Sequence, residues 1–204
     1  MKKGEKMVKI YSYLELQNML EVIVKLRQSR GAKDRFVIAI DGNCGSGKST
    51  GCLQISDALG CEVVHMDDFY LTPAMRTKER EEEPGGNVDY ERFSKEVIPY
   101  LKKREPFSYG KYDCDVDSII KQVQIKNPDI VLVEGAYSMR PEFRDQYDLK
   151  IFSSISRPLQ LKRLEQREGP EVVKDYENIW IPFENRYIAY YDLVPACDII
   201  IYVG

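Results

Sequence analysis

The chain has 204 residues, with 30 Lys or Arg against 33 Asp or Glu, and a formal net charge of -3. At 43% hydrophobic and 31% charged residues it has the composition of a globular chain with one sizeable core, not of a disordered one. The acidic balance argues against a general grip on nucleic acid, which needs a concentrated basic face, and no apolar run reaches the length of a membrane span.

The N-terminal stretch MKKGEKMVKIYSYLELQ has lysines but no continuous apolar segment behind them, so no leader is read there and a cytoplasmic location is expected. Residues 12 to 30 space Leu14, Leu16, Met19, Leu20, Ile23, Val24 and Leu26 as an amphipathic helix, within an N-terminal helical extension over 1–34. Phe36 to Ile40 reads as a fully buried strand ended by Asp-Gly. A helix follows from Lys48 to Leu59, closed by Gly60, and then a second strand from Glu62 to Met66.

The stretch 72–87 holds Pro73, Pro84, Gly85 and Gly86 around a charged run, and is expected to form a flexible or partly helical flap. Tyr90 to Leu101 returns to helical spacing. Strands are expected at Ile130–Val133, Leu149–Phe152 and Ile199–Val203, and helices at Leu159–Arg167 and Trp180–Tyr191. Short buried strands alternating with helices predict a single α/β domain over 1–204, with a five-stranded, mostly parallel sheet in a three-layer α/β/α arrangement. The five cysteines are scattered without a CxxC pair, so neither zinc nor a disulfide framework is expected.

Gly42-Asn43-Cys44-Gly45-Ser46-Gly47-Lys48-Ser49 satisfies G-x-x-x-x-G-K-[ST], and it follows a predicted strand and opens a predicted helix. Glycines let several backbone N–H groups converge on one anion, and the helix N-terminus adds its positive end. Lys48 is expected on the β- and γ-phosphates of ATP, Ser49 on Mg²⁺ and Thr50 near the α-phosphate. Cys44 reads as a filler at a variable loop position. The strand VLVEG ends in Glu134, placed to organise Mg²⁺ directly or through water.

A phosphate loop does not say what receives the phosphate. A GTPase switch would need NKxD, which is absent, and the DxxG match at Asp57–Gly60 falls inside a helix. The stretch His65-Met66-Asp67-Asp68-Phe69-Tyr70 follows the second strand, so it should lie at the carboxyl edge of the sheet beside the phosphate loop. A carboxylate there can take the proton of an attacking hydroxyl. His65 reads as a structural neighbour, Asp68 as a strand-end or capping acid, and Trp180, Phe183 and Tyr187 as packing.

The phosphate loop, HMDDFY, Gly86-Asn87-Val88-Asp89-Tyr90-Glu91-Arg92-Phe93, Tyr112-Asp113 and VEGAY, in this order over about residues 35–204, resemble the uridine kinase and phosphoribulokinase family of P-loop kinases. The resemblance implies transfer of the ATP γ-phosphate, with Mg²⁺, to a hydroxyl of a small molecule, a nucleoside or another ribose- or sugar-bearing metabolite. It implies Asp67 as catalytic base, Tyr70 near the acceptor, Asp89 on ribose hydroxyls and Tyr112 on the base. Arg163 and Arg167 stand where the family places lid arginines, within a lid over 163–180; Arg186 is an alternative. Position 117, where uridine kinases carry a pyrimidine-reading histidine, is an aspartate here, and the lid reads Arg167-Glu168-Gly169-Pro170-Glu171. A regulatory ATPase without an acceptor is the competing reading. No membrane or nucleic-acid partner is expected, and self-association is left open.

Overall fold

The computed structural model describes residues 9–12, 16–30, 34–126 and 128–204. In chain order its elements are β1 (Lys9–Ser12), α1 (Leu16–Ser29), β2 (Phe36–Gly42), α2 (Lys48–Leu59), β3 (Glu62–His65), α3 (Lys78–Glu82), α4 (Tyr90–Glu96), β4 (Phe107–Asp113), β5 (Ser118–Ile125), β6 (Ile130–Glu134), β7 (Leu149–Ile155), α5 (Arg157–Glu168), α6 (Pro170–Asp175), α7 (Ile181–Tyr190), α8 (Leu193–Ala196) and β8 (Ile199–Val203). Six strands form one parallel sheet in the order β1-β8-β7-β2-β6-β3.

All five expected strands form, and the phosphate-loop strand lies beside the VLVEG strand as the sequence implies. The sixth, β1, corrects the reading of 1–34 as a purely helical extension. Residues 9–12 pair in parallel with β8, from Lys9↔Ile199 to Ser12↔Tyr202. Four residues are too few to carry a period of their own, so only the pairing partner reveals them. Leu14 and residues 1–8 of that extension lie outside the described residues. The helix that follows is part of the core, since Met19 and Ile23 are buried in it.

The central strands carry apolar side chains on both faces because both faces are covered. Every residue of β2 and β6 is buried. Phe36, Ile38 and Ile40 pack with Leu132, Met19, Ile23, Cys52 and Ile55, beneath α1 and α2. Val37 and Ala39 face the other way, toward Val131, Val133, Phe93 and Tyr187, beneath α4 and α7. The result is the expected three layers.

The sequence reading missed an antiparallel hairpin, β4 with β5, which makes a separate two-stranded sheet. Its signal was present in the alternation of buried Phe107 and Tyr109 with exposed Ser108. A register shift between Lys111 and Tyr112 then breaks that period. Among the described residues no helix is long and apolar enough to cross a membrane.

Candidate active site

The parallel register sets the site. From β2 the chain crosses past β6 to β3, and from β6 it crosses back past β2 to β7, so the direction reverses between β2 and β6, and ligands settle outside the carboxyl ends of strands at such a switch point. Glu134 stands in register with Ile40 on one side and His65 on the other, and Gly42 with Ser153. The ends of four strands therefore meet at one edge, under a cleft of about 1100 Å³.

The phosphate loop leaves β2 at that edge. Gly47 caps α2 with φ of 89°, a left-handed turn that aims the first helical N–H groups at the cleft. Lys48 Nζ donates to the Gly42 and Asn43 carbonyls at 2.9 Å each, which folds its ammonium over the loop. The loop is braced from outside. Gln160 Nε2 donates to Cys44 O at 2.9 Å, Arg163 to Gly45 O at 3.2 Å and Ser153 Oγ to Ser46 O at 3.4 Å. Burial and the charge of Glu184 push the Cys44 thiol up to about 12, which keeps it in the unreactive thiol form.

Ser49 Oγ donates to Glu134 at 3.2 and 3.4 Å from its two oxygens. His65 Nδ1 lies 2.7 Å from Glu134 Oε1, and that bond, the largest influence on the ring, raises its pKa. The sole histidine thus orients the acid that the sequence reading paired with Mg²⁺. These donors suit that ion: a hydroxyl and a carboxylate converge beside the phosphate loop, and Mg²⁺ prefers oxygen ligands completed by phosphate and water. Among the described residues no group of three His, Cys, Asp or Glu side chains makes a self-sufficient cage.

Asp67 lies on the short 3₁₀ turn after β3, at the cleft surface, and Tyr70 Oη donates to its Oδ1 at 3.0 Å. The side chain opens to cleft solvent, yet protein atoms crowd it enough that desolvation raises its pKa. The Tyr70 bond opposes that rise, the charge of Glu134 adds to it, and Lys48 opposes it. Its neighbour Asp68 points inward as a buried structural acid, accepting from Tyr109 Oη at 3.1 Å with Lys111 Nζ at 3.5 Å.

Arg163 and Arg167 both reach the cleft; Arg167 donates to Glu168 at 2.6 Å and to Tyr176 Oη at 3.2 Å. Arg186 instead donates to the backbone of Glu81 and Glu83 and fastens α7 to the 72–87 segment. That segment folds as a 3₁₀ turn over Pro73–Met75 and the helix α3, and presents Arg76 and Arg80 to the cleft. Trp180 is 44% exposed at the cleft and belongs to a π-helical turn, not to the core. Of the three aromatics read as packing, Tyr187 is buried in the core, Phe183 packs against it edge-on to Tyr137 at 6.2 Å between ring centres, and Trp180 stands at the cleft.

Two predicted substrate contacts stand elsewhere. Asp89 does not line the cleft. Its carboxylate caps α4 by accepting the Arg92 N–H at 2.9 Å, and Asn87, two residues earlier, lines the cleft in its place. Tyr112 is buried behind the cleft and donates to Asp117 Oδ1 at 2.6 Å, and it is Asp117, with Arg76 at 3.4 Å, that faces the space.

Sequence reading also passed over Asp41 and Glu184. Asp41 is 1% exposed. It accepts from the N–H groups of Gly42, Tyr137 and Met139 at 2.7, 3.2 and 3.0 Å and from Tyr187 Oη at 2.9 Å. One carboxylate so joins the start of the loop, the turn after β6 and α7. The only available signal was an acid directly after a buried strand and before the glycine.

No protein-family model matches the chain. It is 30% identical over 159 residues to Uridine kinase-like protein 5 of Arabidopsis thaliana, an alignment covering 72% of this chain; the chain spans about a third (33%) of that relative's length. A solved structure of a possible uridine kinase from Bacillus stearothermophilus is similar with a TM-score of 0.68 at 22% identity, covering 92% of this chain and 99% of that one. D-glycerate 3-kinase from Cryptococcus neoformans follows at 0.60 and 14% identity, with 84% and 87% covered. At these identities the likeness to the solved structures is one of fold, the P-loop kinase fold.

Proposed function

The chain belongs to the uridine kinase-like family of P-loop kinases, and we propose that it transfers the γ-phosphoryl group of ATP to a hydroxyl of a small, ribose- or sugar-bearing molecule. The observation that carries this reading is the meeting of Asp67 with Lys48, Ser49, Glu134, Arg163 and Arg167 in one cleft. Its volume of about 1100 Å³ suits a nucleotide and an acceptor together.

The loop over residues 42–50 seats the triphosphate with backbone N–H groups other than those that Gly42, Asn43 and Cys44 give to protein acceptors, and Lys48 turns from the loop carbonyls to the phosphate oxygens. Ser49 and Glu134 would hold Mg²⁺, which when bound would supply neutralisation of phosphate charge. His65 keeps Glu134 oriented through Oε1. Asp67 accepts the proton of the acceptor hydroxyl as its oxygen bonds to the γ-phosphorus. The bond from that phosphorus to the bridging oxygen breaks and ADP leaves. Arg163 and Arg167 stabilise the charge spread over the transferring group.

For the acceptor, Tyr70, Asn87, Arg76 and Asp117 are the groups that face it. Asp89 and Tyr112 act one step back, by capping α4 and by holding Asp117. An Arg–Asp pair in place of a histidine offers a donor and an acceptor side by side, a different reading edge from that of a uridine kinase.

The test is ADP formation with Mg·ATP against a panel of nucleosides, riboside vitamins and small sugar acids. Turnover that rises at least tenfold with one class of acceptor is expected. The same slow hydrolysis with every compound would establish an acceptor-independent ATPase instead.

The pH profile gives a second test. The base must be ionised to work, and its pKa lies above the ordinary aspartate value, so kcat should fall on the acid side at a higher pH than a free aspartate would give. Tyr70→Phe removes the hydrogen bond that favours the carboxylate. Its acid limb should move to still higher pH, while a limb in the wild-type position would take Asp67 out of the base's role.

A further inference from the structure

α7 carries one acid, Glu184, and it reaches the phosphate loop. Its side chain is buried, 6% exposed, at the wall of the cleft. Oε2 accepts the backbone N–H of Cys44 at 2.9 Å. Across the same residue, Gln160 of α5 donates to the Cys44 carbonyl at 2.9 Å. The first half of the loop is thus gripped by side chains from two helices on its flank.

The N–H groups of such a loop ordinarily serve a bound anion. Here two of them are already taken by carboxylates of the chain itself, that of Gly42 by Asp41 at the loop's start and that of Cys44 by Glu184 inside it. A fixed negative charge at this point also opposes a polyphosphate seated on the rest of the loop. The charged and titratable groups facing Glu184 come from every neighbouring element. Lys48 of α2 favours its ionised form, Asp41 at the end of β2 disfavours it, and the Cys44 thiol, Tyr137 after β6 and Tyr70 after β3 feel its field. Burial is the largest influence and raises the pKa, with Lys48 and the Cys44 N–H working against it.

We propose that Glu184 is a protonation-linked positioning residue of the nucleotide seat: as a carboxylate it clamps the loop and opposes the triphosphate, and it takes up one proton from solvent when a nucleotide binds. The proposal rests on residues 42–50 being that seat. After proton uptake the carbonyl oxygen still accepts the Cys44 N–H, so the clamp persists while its charge disappears. Nucleotide affinity then weakens as pH rises, because deprotonated Glu184 competes with the phosphates.

Calorimetric titration of the full chain with Mg·ADP decides this, run at pH 6.5, 7.2 and 8.0 in pairs of buffers with different ionisation heats. The wild type should take up more protons per ADP bound than Glu184→Gln, whose amide keeps an oxygen for Cys44. Glu184→Gln should also bind about five- to tenfold tighter at pH 8.0, with a flatter pH dependence. Equal proton counts in the two proteins, or no gain in affinity, overturn the proposal and leave the nucleotide seat standing. Glu184→Ala removes charge and clamp together; it must lose the same proton uptake, and it replaces the glutamine variant should that one fail to fold. Folded wild type that gives no binding heat and no thermal shift with Mg·ADP overturns the seat itself and the proposal with it.

Discussion

Asp67→Asn should lower kcat by about two orders of magnitude or more, while Mg·ATP affinity stays close to that of the wild type. A positioned general base contributes roughly 10²–10⁴ in rate, and asparagine keeps the shape while losing the ability to take the proton. The Mg·ATP contacts proposed above lie on the loop and Glu134, so they should survive the change. Thermal stability separates lost chemistry from lost structure. The Asp67 pKa is raised in the folded state, chiefly by desolvation. Such a group contributes its full stability below the unfolded pKa and loses it as pH rises through the folded one. At neutral pH the ionised side chain is therefore a burden, and the asparagine variant should melt no lower than the wild type. A variant that turns over as fast as wild type would remove Asp67 from the chemistry, and one that loses Mg·ATP binding in parallel would make it a structural residue.

Gly42→Ala should be the most damaging single change in the phosphate loop, costing roughly 3–5 kcal/mol of stability. Gly42 ends β2 with φ of 139°, a region that L side chains rarely adopt. A Cβ there would meet Ser153 O at 2.0 Å and the Ser153 C and N atoms at 2.7 Å. These are backbone atoms of β7, in register with Gly42 at the centre of the sheet, and the Asn43 N–H donates to that same Ser153 oxygen at 3.0 Å. No rotamer change relieves the contact, so the strands must part and the loop must lose its anchor. Gly51 is the control. It lies inside α2 and a Cβ there meets nothing within 4 Å, so Gly51→Ala should raise stability by about 0.5–1 kcal/mol through helix propensity. Urea midpoints at a fixed slope give both numbers. A Gly42→Ala protein within about 1 kcal/mol of wild type would show that β2 and β7 yield more easily than their packing implies.

What could be read residue by residue was the part whose chemistry is local. FVIAI, IVLVE and the other central strands are apolar on both faces because each must be covered twice, and that leaves a run no surface strand would carry. The phosphate loop declares itself because glycine, lysine and serine at fixed spacing act on one ligand from one stretch of chain. The position of Asp67 at the sheet edge was legible because it follows two residues after a strand of the sheet.

Asp89 and Tyr112 were placed by motif at the acceptor, but a motif does not state which way a side chain turns. At Asp89 the N-cap of α4 claimed the carboxylate and Asn87 took the cleft; at Tyr112 the register shift in the hairpin turned the ring inward and left Asp117 outside. His65, Asp41 and Glu184 bond to partners 69, 96 to 146 and 140 residues away in the chain. β1 becomes a strand only because β8 offers an open edge. Linear spacing thus determined the nucleotide loop and the central sheet, since short-range geometry and burial on both faces act along the chain itself. Which acids face the ligand, and which hold the scaffold, was decided when strand register and helix packing brought distant segments within hydrogen-bonding distance.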